Sequence, residues 1–283
     1  MPDVNVTDFL PATLFAERTV FITGGGSGIN FGIAQTFARL GAKLALCGRT
    51  QAKLDRAQAD LEALGAEVFT ATADVRDYDA LAAAFAATSE ALGPIHTLVC
   101  GAAGNFLAPA EKLSANGFKS VVDIDLLGSF NAARAAFDQL QATSGNIIFI
   151  SAGQSFVPYM AQAHAGAAKA GVDNLMRNLA LEWGRFGIRS NSIAPGPIGG
   201  TEGMKRLAPD DPRLQARFEQ IVPLQRFGNV EDIGHAAAFL ASPLASYVTG
   251  TCLVVDGGMN LPVSGLFGAL VQEGLRSQRG DGV

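Results

Sequence analysis

The sequence predicts a doubly wound α/β fold: one sheet of about seven parallel strands, with helices on both faces. Two observations carry that reading. Short β-like runs alternate with longer Ala-rich stretches whose apolar residues recur at helical spacing, and such alternation requires crossover helices between parallel strands. The first strand-like run is followed at once by a glycine-rich turn that opens a helix, Thr23-Gly-Gly-Gly-Ser-Gly28-Ile-Asn30. The chain has 283 residues, 48% of them hydrophobic, so it can bury a large core without disulfides or metals. No linker-like shift of composition and no internal repeat interrupts it. A single domain over residues 1–283 is expected, with a core from about residue 16 to about residue 260.

Strands are expected at Thr19–Thr23, Lys43–Cys47, Glu67–Thr70, Thr97–Cys100, Asn146–Ser151, Arg189–Ile193 and Cys252–Val255. Helical spacing fills the intervals at Ile29–Leu40, Ala52–Leu64, Leu81–Leu92, Phe118–Leu140 and Ala163–Leu181. Gly196–Val222, between the sixth and seventh strands, is polar, proline-containing and partly helical, and reads as a substrate lid over the active-site edge. Met1–Phe15 and Pro262–Val283 are expected to be peripheral, with Gly280-Asp-Gly frayed.

Composition excludes several functions. A net charge of −5 leaves no basic footprint for nucleic acid, although a few local Arg or Lys side chains suffice for a phosphorylated ligand. Cys47, Cys100 and Cys252 lie at or near the ends of hydrophobic runs and read as reduced core thiols. His96, His164 and His235 have no metal-ligand spacing, so no metal is expected. No signal peptide opens the chain and no apolar run reaches membrane-spanning length. The C-terminus, Arg279-Gly-Asp-Gly-Val283, lacks a peroxisomal Ser-Lys-Leu type signal, and the cytoplasm is the expected location.

The glycine-rich turn makes Gly24, Gly26, Ser27, Gly28 and Ile29 candidates for holding a pyrophosphate. Glycines let the backbone turn sharply and come close, and the helix N-terminus favours negative charge. The alternative is an ordinary βα turn. The second strand ends Leu46-Cys-Gly-Arg49-Thr50, with no carboxylate to hold the ribose diol of NAD. Arg49 offers a planar fork to a 2'-phosphate instead, which favours NADPH over NADH. Its other reading is a solvated side chain at a helix start. Lys169, inside an apolar helical stretch, is either a snorkelled surface residue or the cation of a site.

From Thr19 to Gly258 these motifs resemble the short-chain dehydrogenase/reductase family, which implies a Rossmann-type sheet and a nicotinamide cofactor. The turn is similar to the family's Thr-Gly-x-x-x-Gly-x-Gly, with Asn30 replacing the last glycine. Asp74-Val75 resembles its adenine-contacting pair. Cys100-Gly-Ala102-Ala-Gly104-Asn105 resembles its Asn-Asn-Ala-Gly element, with Cys100 and Gly101 in the place of asparagines. Small residues there let the cofactor ribose rest against the backbone. Pro195-Gly196-Pro-Ile198-Gly-Gly-Thr201 looks like the stretch that flanks the nicotinamide and ends in a phosphate-contacting threonine. Lys169 matches the lysine that holds the nicotinamide ribose. Ser151 best matches the family serine, with Ser155 close enough to compete. Asp125 falls where many relatives carry an asparagine that anchors a proton-relay water, and it reads as a partner for Lys169 or as a surface carboxylate with Asp123 as its twin.

The family's usual proton donor is a tyrosine four residues before the lysine, and Ala165 stands there. Tyr159 and His164 lie nearby but are not spaced to substitute for it. Ketone reduction forms an alkoxide and needs an acid at its oxygen. Hydride addition to a conjugated thioester forms a delocalised enolate, for which hydrogen bonding and later protonation on carbon suffice. The alanine therefore points to double-bond reduction.

A narrower resemblance agrees. Ala102-Ala-Gly-Asn-Phe-Leu107, Asp123-Ile-Asp125, His164-Ala-Gly-x-Ala-Lys169-Ala and Ala194-Pro-Gly-Pro-Ile-x-Gly-Thr-Glu-Gly203 look like the peroxisomal-type 2,4-dienoyl-CoA reductase subfamily. That resemblance implies Asp125 and Lys169 as the catalytic pair with Ser151 beside them, and a bound water as proton carrier. It implies Asn105 and Phe106 along the acyl chain, with Tyr159 a further candidate for the substrate cleft. The substrate would be an acyl-CoA thioester, the product a trans-3-enoyl-CoA, and the assembly a homotetramer. Arg206, Arg213 and Arg217 in the lid are either phosphate partners or a solvated face. Two other readings compete: a carbonyl or 3-oxoacyl thioester reductase with an unconventional acid, and a non-catalytic nucleotide sensor or scaffold.

Overall fold

The computed structural model describes residues 5–207 and 212–261. Strands β1 (Thr19–Thr23), β2 (Lys43–Gly48), β3 (Val68–Thr72), β4 (Ile95–Cys100), β5 (Asn146–Ile150), β6 (Arg189–Pro195) and β7 (Cys252–Val255) form one sheet. Every pairing is parallel, in the order β3-β2-β1-β4-β5-β6-β7. The chain winds outward from β1 in both directions, and Thr23 at its end stands in register with Cys47 on β2 and Cys100 on β4. Ligands of open α/β sheets bind in the crevice outside the strand ends at such a reversal.

Alternate strand residues feed opposite faces, as the two-residue period of a strand requires. The helices are α1 (Gly28–Arg39), α2 (Gln51–Glu62), α3 (Tyr78–Leu92), α4 (Ala115–Val122), α5 (Gly128–Thr143), α6 (Ala163–Trp183), α7 (Glu202–Leu207), α8 (Pro212–Ile221) and α9 (Val230–Ala241). Val20, Ile22, Leu44 and Leu46 pack under α1, α2 and α9, while Phe21, Ala45 and Leu98 pack under α3, α5 and α6.

Three expectations are corrected. The helix expected over Phe118–Leu140 is α4 and α5 joined by a π turn, Asp123–Leu127, in which the Gly128 N–H reaches back to the Asp123 carbonyl. The N-terminal segment is not wholly peripheral. Val6 and Phe15 are buried, the Phe15 ring meets Phe37 edge-on at 4.9 Å, and the Phe15 N–H donates to the Leu40 carbonyl at 2.9 Å. The third strand runs on to Thr72, because Thr72 still pairs with Gly48. Pro262–Val283, with Gly280-Asp-Gly, lies outside the described residues.

Candidate active site

Four pieces of chain converge beyond the ends of β4 and β5. Lys169 stands in the second turn of α6, and its Nζ donates to the Ile150 carbonyl at 2.8 Å and lies 3.1 Å from Asp125 Oδ2. Asp125 comes from the π turn and is 1% exposed, and its Oδ1 accepts the Gly104 N–H at 2.7 Å. Both carboxylate oxygens are therefore engaged, one by a cation and one by the backbone. Asp123 pairs instead with Lys119 on the neighbouring turn. The extra residue of the π turn separates the twin acids, and the surface readings of Asp125 and Lys169 fall away. Removing one partner of such a buried pair strands the other, at a cost of about 3–5 kcal/mol.

Asp125, Lys169, Ser151, Ala165 and Asn105 line one cavity of about 320 Å³. The Ser151 hydroxyl is buried with no hydrogen-bond partner among the described residues. The Ser155 hydroxyl is committed elsewhere, donating at 2.6 Å to Asp173, which also accepts from Ser192 at 2.8 Å. The geometry thus separates the two competing serines in favour of Ser151. The Ala165 methyl forms the wall one turn before Lys169. Tyr159 is not on that wall; its hydroxyl donates to Asn260 Oδ1 at 2.6 Å and ties the loop after β5 to the segment after β7. Phe106 also stands off the cavity and packs against the fully buried His164, ring centroids 4.4 Å apart and planes tilted by 48°. Sequence reasoning missed Gln154 and Gln162. The Gln162 Oε1 accepts from Gln154 at 2.7 Å and from Asn105 at 3.0 Å, joining two walls of the site. Its only sequence signal is its place just before the first turn of α6.

A second cavity, about 480 Å³, holds Gly24, Gly26, Arg49, Asp74, Val75 and Ala102. Ser27, Asn30, Gly101 and Asn105 line both, so one groove runs from Arg49 to Lys169. Its floor is the glycine-rich turn. Gly24 and Gly28 sit at φ +70° and +60°, a region L side chains rarely adopt. Ser27, at the start of α1, makes no side-chain cap, so the first N–H groups of α1 are left for a ligand. That cradle, with the small residues at the end of β4, fits a dinucleotide.

At the far end Arg49 is exposed and 4.0 Å from Asp74. Asp74 is itself held by Arg76, at 2.6 and 3.0 Å, and this contact brings its carboxyl down to about 2. Val75 offers its carbonyl to Asn131 at 3.0 Å. Pro195, Gly196, Ile198 and Thr201 line the inner cavity, but the Thr201 hydroxyl donates to the Ile198 carbonyl and accepts from the Met204 N–H, so here it caps α7. Glu202, Gly203 and Met204 of the expected lid border the same cavity. Arg213 and Arg217 are exposed on α8, and the Arg206 side chain lies outside the described residues. Among the described residues no His, Cys, Asp and Glu cluster could hold a metal, and no helix is long and apolar enough to cross a membrane.

A family profile described as Enoyl-(Acyl carrier protein) reductase matches residues 24–260. The chain belongs to the short-chain dehydrogenase/reductase family. This short-chain reductase is 45% identical over 250 residues to a peroxisomal 2,4-dienoyl-CoA reductase of Saccharomyces cerevisiae of the (3E)-enoyl-CoA-producing kind, covering 87% of this chain and 85% of that one. It is 44% identical over 273 residues to a like-named reductase of Rattus norvegicus, covering 92% and 93%. Among solved structures it superposes on a gluconate 5-dehydrogenase of Burkholderia cenocepacia, in complex with NADP and tartrate, with TM-score 0.83 and 29% identity over 89% of this chain and 98% of that one. The family's sheet binds a nicotinamide cofactor.

Proposed function

We propose that this short-chain reductase uses NADPH to reduce the conjugated diene of 2,4-dienoyl-CoA thioesters, leaving a trans-3-enoyl-CoA. One observation carries the reading. A buried Lys169–Asp125 pair faces a cavity in which a methyl, Ala165, stands where a ketone reductase needs an acid. The names of the yeast and rat relatives support it.

NADPH would lie with its pyrophosphate over Gly24–Gly28 and its 2'-phosphate near Arg49, and when bound it supplies the hydride. Arg76 keeps the Asp74 carboxylate occupied beside Arg49, which favours the phosphorylated cofactor. When C5 of the diene is reduced, negative charge moves through the conjugated carbons to the thioester oxygen. The Ser151 hydroxyl and the Lys169 ammonium are the donors that meet it. Asp125 and Lys169 orient a water that delivers the proton to C2, which restores the thioester carbonyl and leaves the double bond between C3 and C4. The reading extends to a homotetramer, for which the exposed Leu127, Phe130, Leu181 and Val254 supply apolar surface.

The test is NADPH oxidation by the purified protein with trans-2,trans-4-hexadienoyl-CoA, with the product's double bond located by NMR. We expect the trans-3 isomer, and a fall in kcat of at least about 100-fold in Lys169→Ala and Asp125→Asn. Asp125→Asn keeps an acceptor for the Gly104 N–H, and thermal unfolding of both variants separates loss of chemistry from loss of fold. A trans-2 product would refute protonation at C2. Turnover of 3-oxoacyl-CoA without dienes would establish the carbonyl reading, and NADPH binding without turnover the sensor reading.

A further inference from the structure

Two departures from the family pattern, Asn30 for a glycine and Gly101 for an asparagine, meet in space. The Asn30 Nδ2 donates to the Gly101 carbonyl at 2.8 Å and to the Gly24 carbonyl at 3.3 Å. One carboxamide thus ties the phosphate-binding turn after β1 to the end of β4, across the crevice where the sheet order reverses. The two acceptors also fix the amide's orientation, because a flip would set oxygen against both carbonyls. A Cβ on Gly101 would stand 2.1 Å from Asn30 Oδ1 and 2.4 Å from its Cγ, and one on Gly24 would lie 3.0 Å from Nδ2. Side chains at 30 and 101 therefore exclude one another. The remaining atom, Asn30 Oδ1, is buried and has no hydrogen-bond partner among the described residues. A buried acceptor without a donor is costly, and Asn30 lines both halves of the groove.

We infer that Asn30 is a cofactor-positioning residue, its Oδ1 accepting a hydrogen bond from a ribose hydroxyl of the bound dinucleotide and its Nδ2 holding the two strand ends at the spacing that ligand needs. A ribose hydroxyl is the fitting partner by chemistry: a buried acceptor needs a donor, and the cofactor's pyrophosphate oxygens only accept whereas its ribose hydroxyls donate. This rests on the cofactor reading above, not on the choice of acyl substrate.

The experiment is calorimetric titration of the purified protein with NADPH, alongside thermal unfolding without it. The proteins compared are the wild type, Asn30→Gly, Gly101→Asn and the double variant. We expect Asn30→Gly to raise the Kd for NADPH about tenfold or more. Gly101→Asn alone should lower both Tm and affinity because of the clash. The double variant should recover both, exceeding the poorer single variant in each. If Gly101→Asn does not fold, a folded double variant still supports the exchange. An Asn30→Gly protein that loses Tm but keeps its Kd overturns the inference, because a purely structural amide would behave so. A double variant no better than the poorer single also overturns it. A wild type that binds neither NADPH nor NADH overturns this inference and the cofactor reading together, whereas wild-type binding with an unchanged Asn30→Gly overturns this one alone.

Discussion

Ser151 and Ser155 show what residue-level reading can and cannot reach. Both follow the fifth strand closely enough to match the same motif position, and nothing in their spacing separates them. Three dimensions do, since one hydroxyl faces the cavity and the other is tied to Asp173. Ser151→Ala should cut kcat by roughly 10- to 100-fold while changing stability little, because no hydrogen bond within the protein is lost. Ser155→Ala should leave kcat within about twofold and cost roughly 1–3 kcal/mol, because the buried Asp173 loses a donor. Turnover and urea unfolding on both variants check the pair, and the opposite pattern would return the catalytic role to Ser155. The relation of Lys169 to Ala165 was legible because spacing on a helix fixes which residues share a face. Phe106 and Tyr159 were not, because their loop backbones, rather than their distance in sequence from Lys169, set the direction of their rings.

At the scale of elements, α9 was not among the helices named, but the strands and most helices were legible from period, with ends shifted by a few residues. The π turn was not. Its single extra residue is lost inside a helical pattern, yet it is what carries Asp125 inward and Asp123 outward. The turn hands over to α5 at Gly128, which packs directly against Val75 of the nucleotide cavity. Alanine in a helix interior normally gains about 1 kcal/mol over glycine. At Gly128 the sign should reverse: a Cβ would stand 2.5 Å from Val75 Cγ2, and such overpacking costs about 1–3 kcal/mol. Thermal unfolding of Gly128→Ala with and without NADPH checks this. A more stable variant would show that the junction has slack.

For the molecule as a whole, the order of elements predicted the parallel sheet, and the turn after β1 predicted where the crevice opens. Burial also settles the state of the thiols. It pushes the Cys47 thiol up to about 12, Cys100 higher still, and raises Cys252 as well. The thiolate is the reactive form, so the native protein should react slowly with a disulfide reagent at pH 8. All three cysteines should react once the chain is unfolded in denaturant. Fast labelling of the folded protein would contradict the packing of β2, β4 and β7. The alanine on the cavity wall has a bearing on direction. Oxidising an alcohol requires a group that takes up the hydroxyl proton, and a methyl does not titrate. The nearest carboxylate, Asp125, is already spoken for by Lys169 and Gly104. The site is therefore ill-equipped for either direction of the ketone–alcohol couple, and its chemistry is left to carbon–carbon bonds.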